Sequence, residues 1–224
     1  MGTFETRTEL SKFCFPDTVV FTAMGVQSGA TDHICREGMK KHLESLTLSL
    51  RGCSDGLITI TTSFSNPSII ENRKQDAPAK YTLEYKCKVV VRGMKKEYKD
   101  SLIKVVTVVY NDKSLKSISY KCELSNYEEE KASLRGSLTR KSRKEAEDIA
   151  LGLSSSIKGI EKITYGDSGE KKKTTTIAGG YGDWYNETTP KATSVEDLIQ
   201  VTVDDIMSQQ IKVLDEITVI YVVD

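Results

Sequence analysis

Histidine is almost absent from this sequence: His33 and His42 are the only two among 224 residues. They fall nine positions apart on one predicted helix, whereas two ligands on one helical face need steps of about three or four. They are therefore expected to form no shared metal site, and we read both as ordinary surface residues. Any serine or cysteine nucleophile would have to recruit one of them as its base, and no G-x-S-x-G elbow surrounds a serine. Paired cysteines are missing too. Cys14, Cys35, Cys53, Cys87 and Cys122 are odd in number and contain no C-x-x-C, which argues against a disulfide framework or a zinc site and for reduced thiols.

Net charge is also missing, with 32 Lys plus Arg against 32 Asp plus Glu. No global attraction to nucleic acid or anionic lipid follows, so a basic partner site would have to be local. No run approaches the ~20 apolar residues of a membrane-spanning helix. The opening stretch MGTFETRTELSKF has no apolar core of the secretory type. We expect a cytoplasmic protein, or an extracytoplasmic one if a leader has been removed. The glycines of AGGYGDW, at 179, 180 and 182, follow no strand and precede no Walker lysine, so no nucleotide or other cofactor is expected.

What is present is enough apolar material for a core, 38% of the chain, arranged with clear periodicity. DTVVFTAMGV, from Asp17 to Val26, is β-branched and reads as a strand. From Ala30 the positions Ile34, Met39, Leu43, Leu46 and Leu50 predict a helix ended by Gly52. LITITTSF at 57–64 predicts a second strand. The clearest alternation runs from Lys80 to Arg92, where Tyr81, Leu83, Tyr85, Cys87, Val89 and Val91 share one parity. Lys95–Tyr110 reads as a helix despite its Val-Val-Thr-Val-Val centre, and Leu115–Leu124 as a strand.

A long helix is predicted after Ser125-Asn126, with three glutamates at its start and Leu134, Leu138, Ala146, Ile149, Ala150, Leu153 and Ile157 turned inward. Ile160–Tyr165 is a short strand. Residues 166–195 lose all period and read as a mobile loop, Leu198–Val203 is an apolar run of no assigned type, and Ile211–Val223 closes as a strand. The expectation is an α+β protein of one domain, 1–224, with an antiparallel sheet and helices on one face. Leu83, Tyr85, Val89, Ile118, Tyr120, Leu138, Ile149 and Leu153 are expected to share one core.

Two surface features could contact a partner. Tyr181, Trp184 and Tyr185 cluster in an otherwise polar loop, which suits either packing on the domain or a partner contact. Arg140, Lys141, Arg143 and Lys144 make the long helix locally basic, but Glu145, Glu147 and Asp148 follow at once, so intrahelical ion pairs are the expectation and nucleic-acid binding is the weaker one.

The order of these elements, with several local strings, resembles the SIMPL domain family. The strings are Pro16-Asp17 before the first strand, the helix after Ser28, the long strand opened by Tyr81, KSISYKCELSN, KSRKEAEDIALGLSSSIKGIEKI and the closing IKVLDEITVIYVV. The family's alanine stripe is thinned here by Ser142. The resemblance implies two related β-α-β halves, a tendency of bacterial members to self-associate, and no catalytic residue. We therefore expect a non-enzymatic homo-oligomeric interaction or scaffold protein. The alternatives are a small-molecule binder or enzyme with a site near 166–195 and, more weakly, a nucleic-acid binder.

Overall fold

The structure, a computed structural model, describes residues 2–72, 80–166, 175–177 and 194–224. Among these residues the strands are β1 (Gly2–Cys14), β2 (Thr18–Gly29), β3 (Thr59–Asn72), β4 (Lys80–Arg92), β5 (Leu115–Glu123), β6 (Ile157–Gly166), β7 (Thr175–Ile177) and β8 (Ile211–Val223). The helices are α1 (Asp32–Arg51), α2 (Lys99–Asn111), α3 (Tyr127–Gly152) and α4 (Val195–Ser208). The fold is α+β with antiparallel strand pairing throughout, and the strands divide between two sheets rather than joining one. The chain falls into a larger unit, Phe15–Glu123 with Thr174–Gln209, and a smaller one, Met1–Cys14 with Leu124–Lys173 and Gln210–Asp224.

In the larger unit the sheet order is β3-β4-β2-β5-β7. The alternation legible in β4 matches that of β2: Val19 faces Val91, Phe21 faces Val89 and Ala23 faces Cys87, and all six are buried. This dry face is where the helices pack. α1 starts at Thr31, whose hydroxyl accepts the Ile34 N–H. Its buried line runs through Cys35, Leu46 and Leu50, while Ile34, on the predicted stripe, is exposed. α2 is helical despite its β-branched centre because Leu102, Val105, Val106 and Val109 recur at helical spacing and all reach the core.

α4 escaped the sequence reading, although Ser194 caps it by accepting from Asp197 N–H and Ile199, Thr202, Val203 and Ile206 form its buried line. Tyr120 of β5 donates to Asp205 of α4 at 2.5 Å, and Thr202 donates to Tyr110 of α2 at 3.2 Å. Of the segment read as a loop, Thr175–Ile177 pairs with β5 as strand β7, Gly166 closes β6 and Val195 opens α4. Apart from Ser194, which caps α4, the remainder lies outside the described residues.

The smaller unit has the order β1-β8-β6 under the single helix α3. β1 also escaped the sequence reading because its inward positions are Phe4, Thr6, Thr8 and Leu10, too polar to stand out, with both threonines buried. α3 turns Leu134, Leu138, Ala146 and Ala150 inward as expected but departs from expectation at three positions: Ile149 and Leu153 are exposed, and Ile157 opens β6. The buried line of α3 is Lys131, Leu134, Leu138, Ser142, Ala146 and Ala150, whereas Ile149 is 41% and Leu153 63% exposed. The eight residues expected in one core therefore separate. Val89 and Tyr120 sit in the main cluster of the larger unit with Ile118 at its margin, Leu83 and Tyr85 in a small neighbouring one, and Leu138 in the cluster of the smaller unit.

Candidate functional site

An α-helix with its side chains is about 10–12 Å across, and strands lie about 4.8 Å apart, so one helix covers about two strands. In the smaller unit α3 lies over β8 and β1 and leaves β6 largely uncovered. Ile160, Ile163 and Tyr165 of β6 stand opposite Tyr221, Val219 and Ile217 of β8, all three buried, so they point to the helix side of the sheet. They nevertheless remain 50%, 43% and 42% exposed. Leu151, near the end of α3, is exposed across from them, whereas Ile149 follows Lys141 and Glu145 on the side of the helix that meets β1. An open cleft of about 560 Å³ between α3 and β6 is lined by Ala150, Leu151, Ile157, Ile160 and Tyr221, with Arg143 and Glu147 on its rim.

The charges around this cleft are neutralised in pairs. Arg143 donates to Glu147 at 2.9 Å, and Lys158 meets Asp224 at 3.0 Å. Arg135 lies over the Tyr165 ring, 5.0 Å from its centroid. A Cβ at Gly166 would come within 2.3 Å of the Glu216 side chain, which accepts two bonds from Arg7 and would have to shift to make room. The result is an apolar, electrically balanced surface beside a strand that, among the described residues, pairs only with β8.

Under α3 the buried layer is partly polar. Thr6, Ser142 and Tyr221 form a hydroxyl chain with spacings of 2.8 and 3.2 Å, and Thr8 donates to Glu145 at 2.5 Å. Asp215 of β8 is fully buried, accepts the Glu216 N–H at 3.1 Å, and faces the Lys131 ammonium at 3.8 Å and the Arg135 guanidinium at 3.6 Å.

The larger unit holds the other chemically distinctive group, and it corrects the reading of His42 as a surface residue. His42 of α1 has a side chain only 8% exposed; its Nε2 lies 2.6 Å from the Asp112 carboxylate and its Nδ1 2.5 Å from the Tyr85 hydroxyl. Phe64 stacks on the imidazole at 5.6 Å. Burial pushes the Asp112 carboxyl up, but the bonds from His42 and the Ser114 N–H outweigh it and hold the group below its ordinary range. Burial raises the Tyr85 phenol, which stays protonated. The ionised Asp112 carboxylate can only accept, so Nε2–H donates to it, and Nδ1 shares a second hydrogen bond with the Tyr85 hydroxyl. Gln27 closes the circuit, contacting the Tyr85 hydroxyl and donating to Ser114 at 3.3 Å. Two glycines admit these side chains: a Cβ at Gly25 would lie 2.1 Å from the Tyr85 ring, and one at Gly38 3.1 Å from the Gln27 oxygen. Tyr85 is 1% exposed, so the group ties α1 to the sheet and offers no face to a substrate.

Of the residues singled out in the sequence, Tyr181, Trp184 and Tyr185 lie outside the described residues. Arg140, Lys141, Arg143 and Lys144 lie on the exposed side of α3. Lys141 meets Glu145 at 3.9 Å and Arg143 pairs with Glu147, both at i,i+4, so the intrahelical pairs expected from the spacing are formed. All five thiols are free. Burial pushes Cys87 and Cys122 up to about 12, which makes them small apolar core groups at neutral pH. Among the described residues no group of three His, Cys, Asp or Glu side chains could hold a metal ion, and no helix is long and apolar enough to cross a membrane. No family model matches the chain, and no curated protein matches it.

Proposed function

We propose that this protein is a non-enzymatic interaction protein that assembles with copies of itself through its smaller unit. The observation that carries this reading is the exposure of Ile160, Ile163 and Tyr165 on the helix side of β6, with Leu151 of α3 exposed across the cleft from them. Exposed apolar patches of a few hundred Å² mark sites that something covers. A net charge of zero removes long-range repulsion between copies. The resemblance to the SIMPL domain, whose bacterial members self-associate, points the same way. Free thiols suit a reducing compartment, and we propose a cytoplasmic setting.

Light scattering over a tenfold concentration range tests the reading. The expected mass is a multiple of the 24.9 kDa chain. A mass of 24.9 kDa that persists throughout the range overturns it.

A further inference from the structure

The larger unit has a cavity of its own, on the face of its sheet that the helices do not cover. It measures about 350 Å³, and Thr22 and Met24 of β2, Asn66 of β3, Glu84 and Lys86 of β4 and Ser117 of β5 are among its lining. Glu84 and Lys86 alternate along β4 with the buried Leu83, Tyr85 and Cys87, which places them on the outer face. We infer that this cavity binds a small zwitterion of the free α-amino acid class, its carboxylate meeting Lys86 and its ammonium meeting Glu84. The site lies wholly within the larger unit and is independent of self-association.

Two irregularities of the sheet frame the cavity. Ser65, Lys86, Met24 and Lys116 form one row across β3, β4, β2 and β5. Just beyond each end of that row a strand carries one extra residue, between Ser65 and Ser68 in β3 and between Lys116 and Ser119 in β5. Asn66 and Ser117 there adopt φ of 53° and 51°, the left-handed region that serine rarely enters. Bulges of this kind re-aim side chains and recur beside binding sites. At an edge strand such as β3 a bulge also guards against stray pairing, but β5 is not an edge, since β7 pairs beyond it.

Glu84 and Lys86 set the class of ligand. They stand two positions apart on one strand face, about 6.6 Å along it, yet among the described residues neither has a hydrogen-bond or ion-pair partner. A simple anion would leave Glu84 repelling it, and a simple cation would do the same with Lys86. An α-amino acid carries its ammonium and carboxylate on one carbon and meets both, each by a charge-assisted hydrogen bond. The hydroxyls of Thr22 and Ser117 and the Asn66 amide can donate to one group and accept from the other. Met24, 42% exposed, offers an apolar wall to the ligand's own side chain. The volume falls at the lower end of the roughly 300–1,000 Å³ of small-molecule sites, which suits a ligand of this size.

The experiment dialyses the full-length protein to equilibrium against an equimolar, millimolar mixture of the protein L-amino acids, identifies what is retained and measures its affinity by calorimetry. At least one amino acid is expected to be retained, and its N-acetyl form, which lacks the ammonium, is not. Glu84→Gln and Lys86→Gln are each expected to weaken binding about tenfold or more, with an unchanged circular dichroism spectrum because both side chains lie on the outer face. Lys116→Gln, at the end of the same row but outside the lining, is the control and is expected to bind like the parent. Retention of no amino acid overturns the inference. So does equal binding of the N-acetyl form, binding that survives Glu84→Gln or Lys86→Gln, or a loss on Lys116→Gln as large as that on Lys86→Gln.

Discussion

Three helices serve the five-stranded sheet of the larger unit, and one serves the three-stranded sheet of the smaller. The difference shows in what lies beneath them. Under the helices of the larger unit the buried side chains are mostly apolar, with the His42 circuit and the Tyr120–Asp205 and Thr202–Tyr110 bonds as polar inclusions whose members find partners. Under α3 a smaller apolar cluster, including Leu134, Leu138, Val213, Ile217 and Val219, is joined by Thr6, Thr8, Ser142, Tyr221 and the Asp215–Lys131 pair. Apolar burial stabilises by roughly 25 cal/mol per Å², whereas a hydrogen bond exchanged with water adds only about 1 kcal/mol and a buried ion pair can add nothing. The smaller unit therefore has the smaller apolar cluster and, in β6, the strand its helix leaves largely uncovered.

Core truncations probe that contrast most strongly. Leu102→Ala and Leu138→Ala both remove a fully buried side chain and should cost about 2–5 kcal/mol. Leu102, enclosed by Val105, Val106 and Val109, is expected at the upper end, and Leu138, in the cluster beside the open cleft, at the lower. Urea midpoints decide it, and equal costs would erase the distinction.

Asp112→Asn comes next, at about 1–3 kcal/mol at neutral pH, since it unpairs His42. The sign in pH follows from the lowered carboxyl. Folding favours the ionised form, so its contribution is complete above the ordinary 3.8 and is lost as pH falls through the folded value below it. The parent's advantage over the variant should therefore shrink between pH 7 and pH 3. A constant gap would mean that the carboxylate is not held by His42.

Ser142→Ala should cost about 1 kcal/mol, the hydroxyl partners lost by Thr6 and Tyr221 outweighing alanine's better helix propensity. A gain would show that the hydroxyl chain under α3 is dispensable. The smallest effect is expected at Leu153. Being 63% exposed, it should change stability by less than about 0.5 kcal/mol on replacement by alanine, measured at dilution where association is absent.

Leu153 also shows where the sequence ceases to be legible. β4 was readable because a sheet with one dry face writes its period directly into Leu83, Tyr85, Cys87, Val89 and Val91. α3 was readable only in part. Leu134, Leu138, Ala146 and Ala150 face inward as expected, but Lys131 and Ser142 share their buried line, contacting Asp215 and Thr6, while Ile149 and Leu153 fall outside it, so counting apolar residues made the inward stripe too wide. Thr6 and Thr8 hid β1 for the same reason. The candidate interface was illegible for another: Ile160, Ile163 and Tyr165 look like ordinary inward strand residues until it is known that one helix stops short of the third strand. His42 could not be found because its partners, Tyr85 and Asp112, stand 43 and 70 positions away in the chain.

The placement of the thiols gives the molecule an internal clock. Cys35, Cys53, Cys87 and Cys122 are all buried in the larger unit, and Cys14, partly accessible, belongs to the smaller. Pulsed alkylation in native buffer should modify Cys14 early and the other four only as often as their surroundings open. Their labelling rates, divided by the rate of a free thiol, then measure the opening free energy of the larger unit at four separate depths, without introducing a probe.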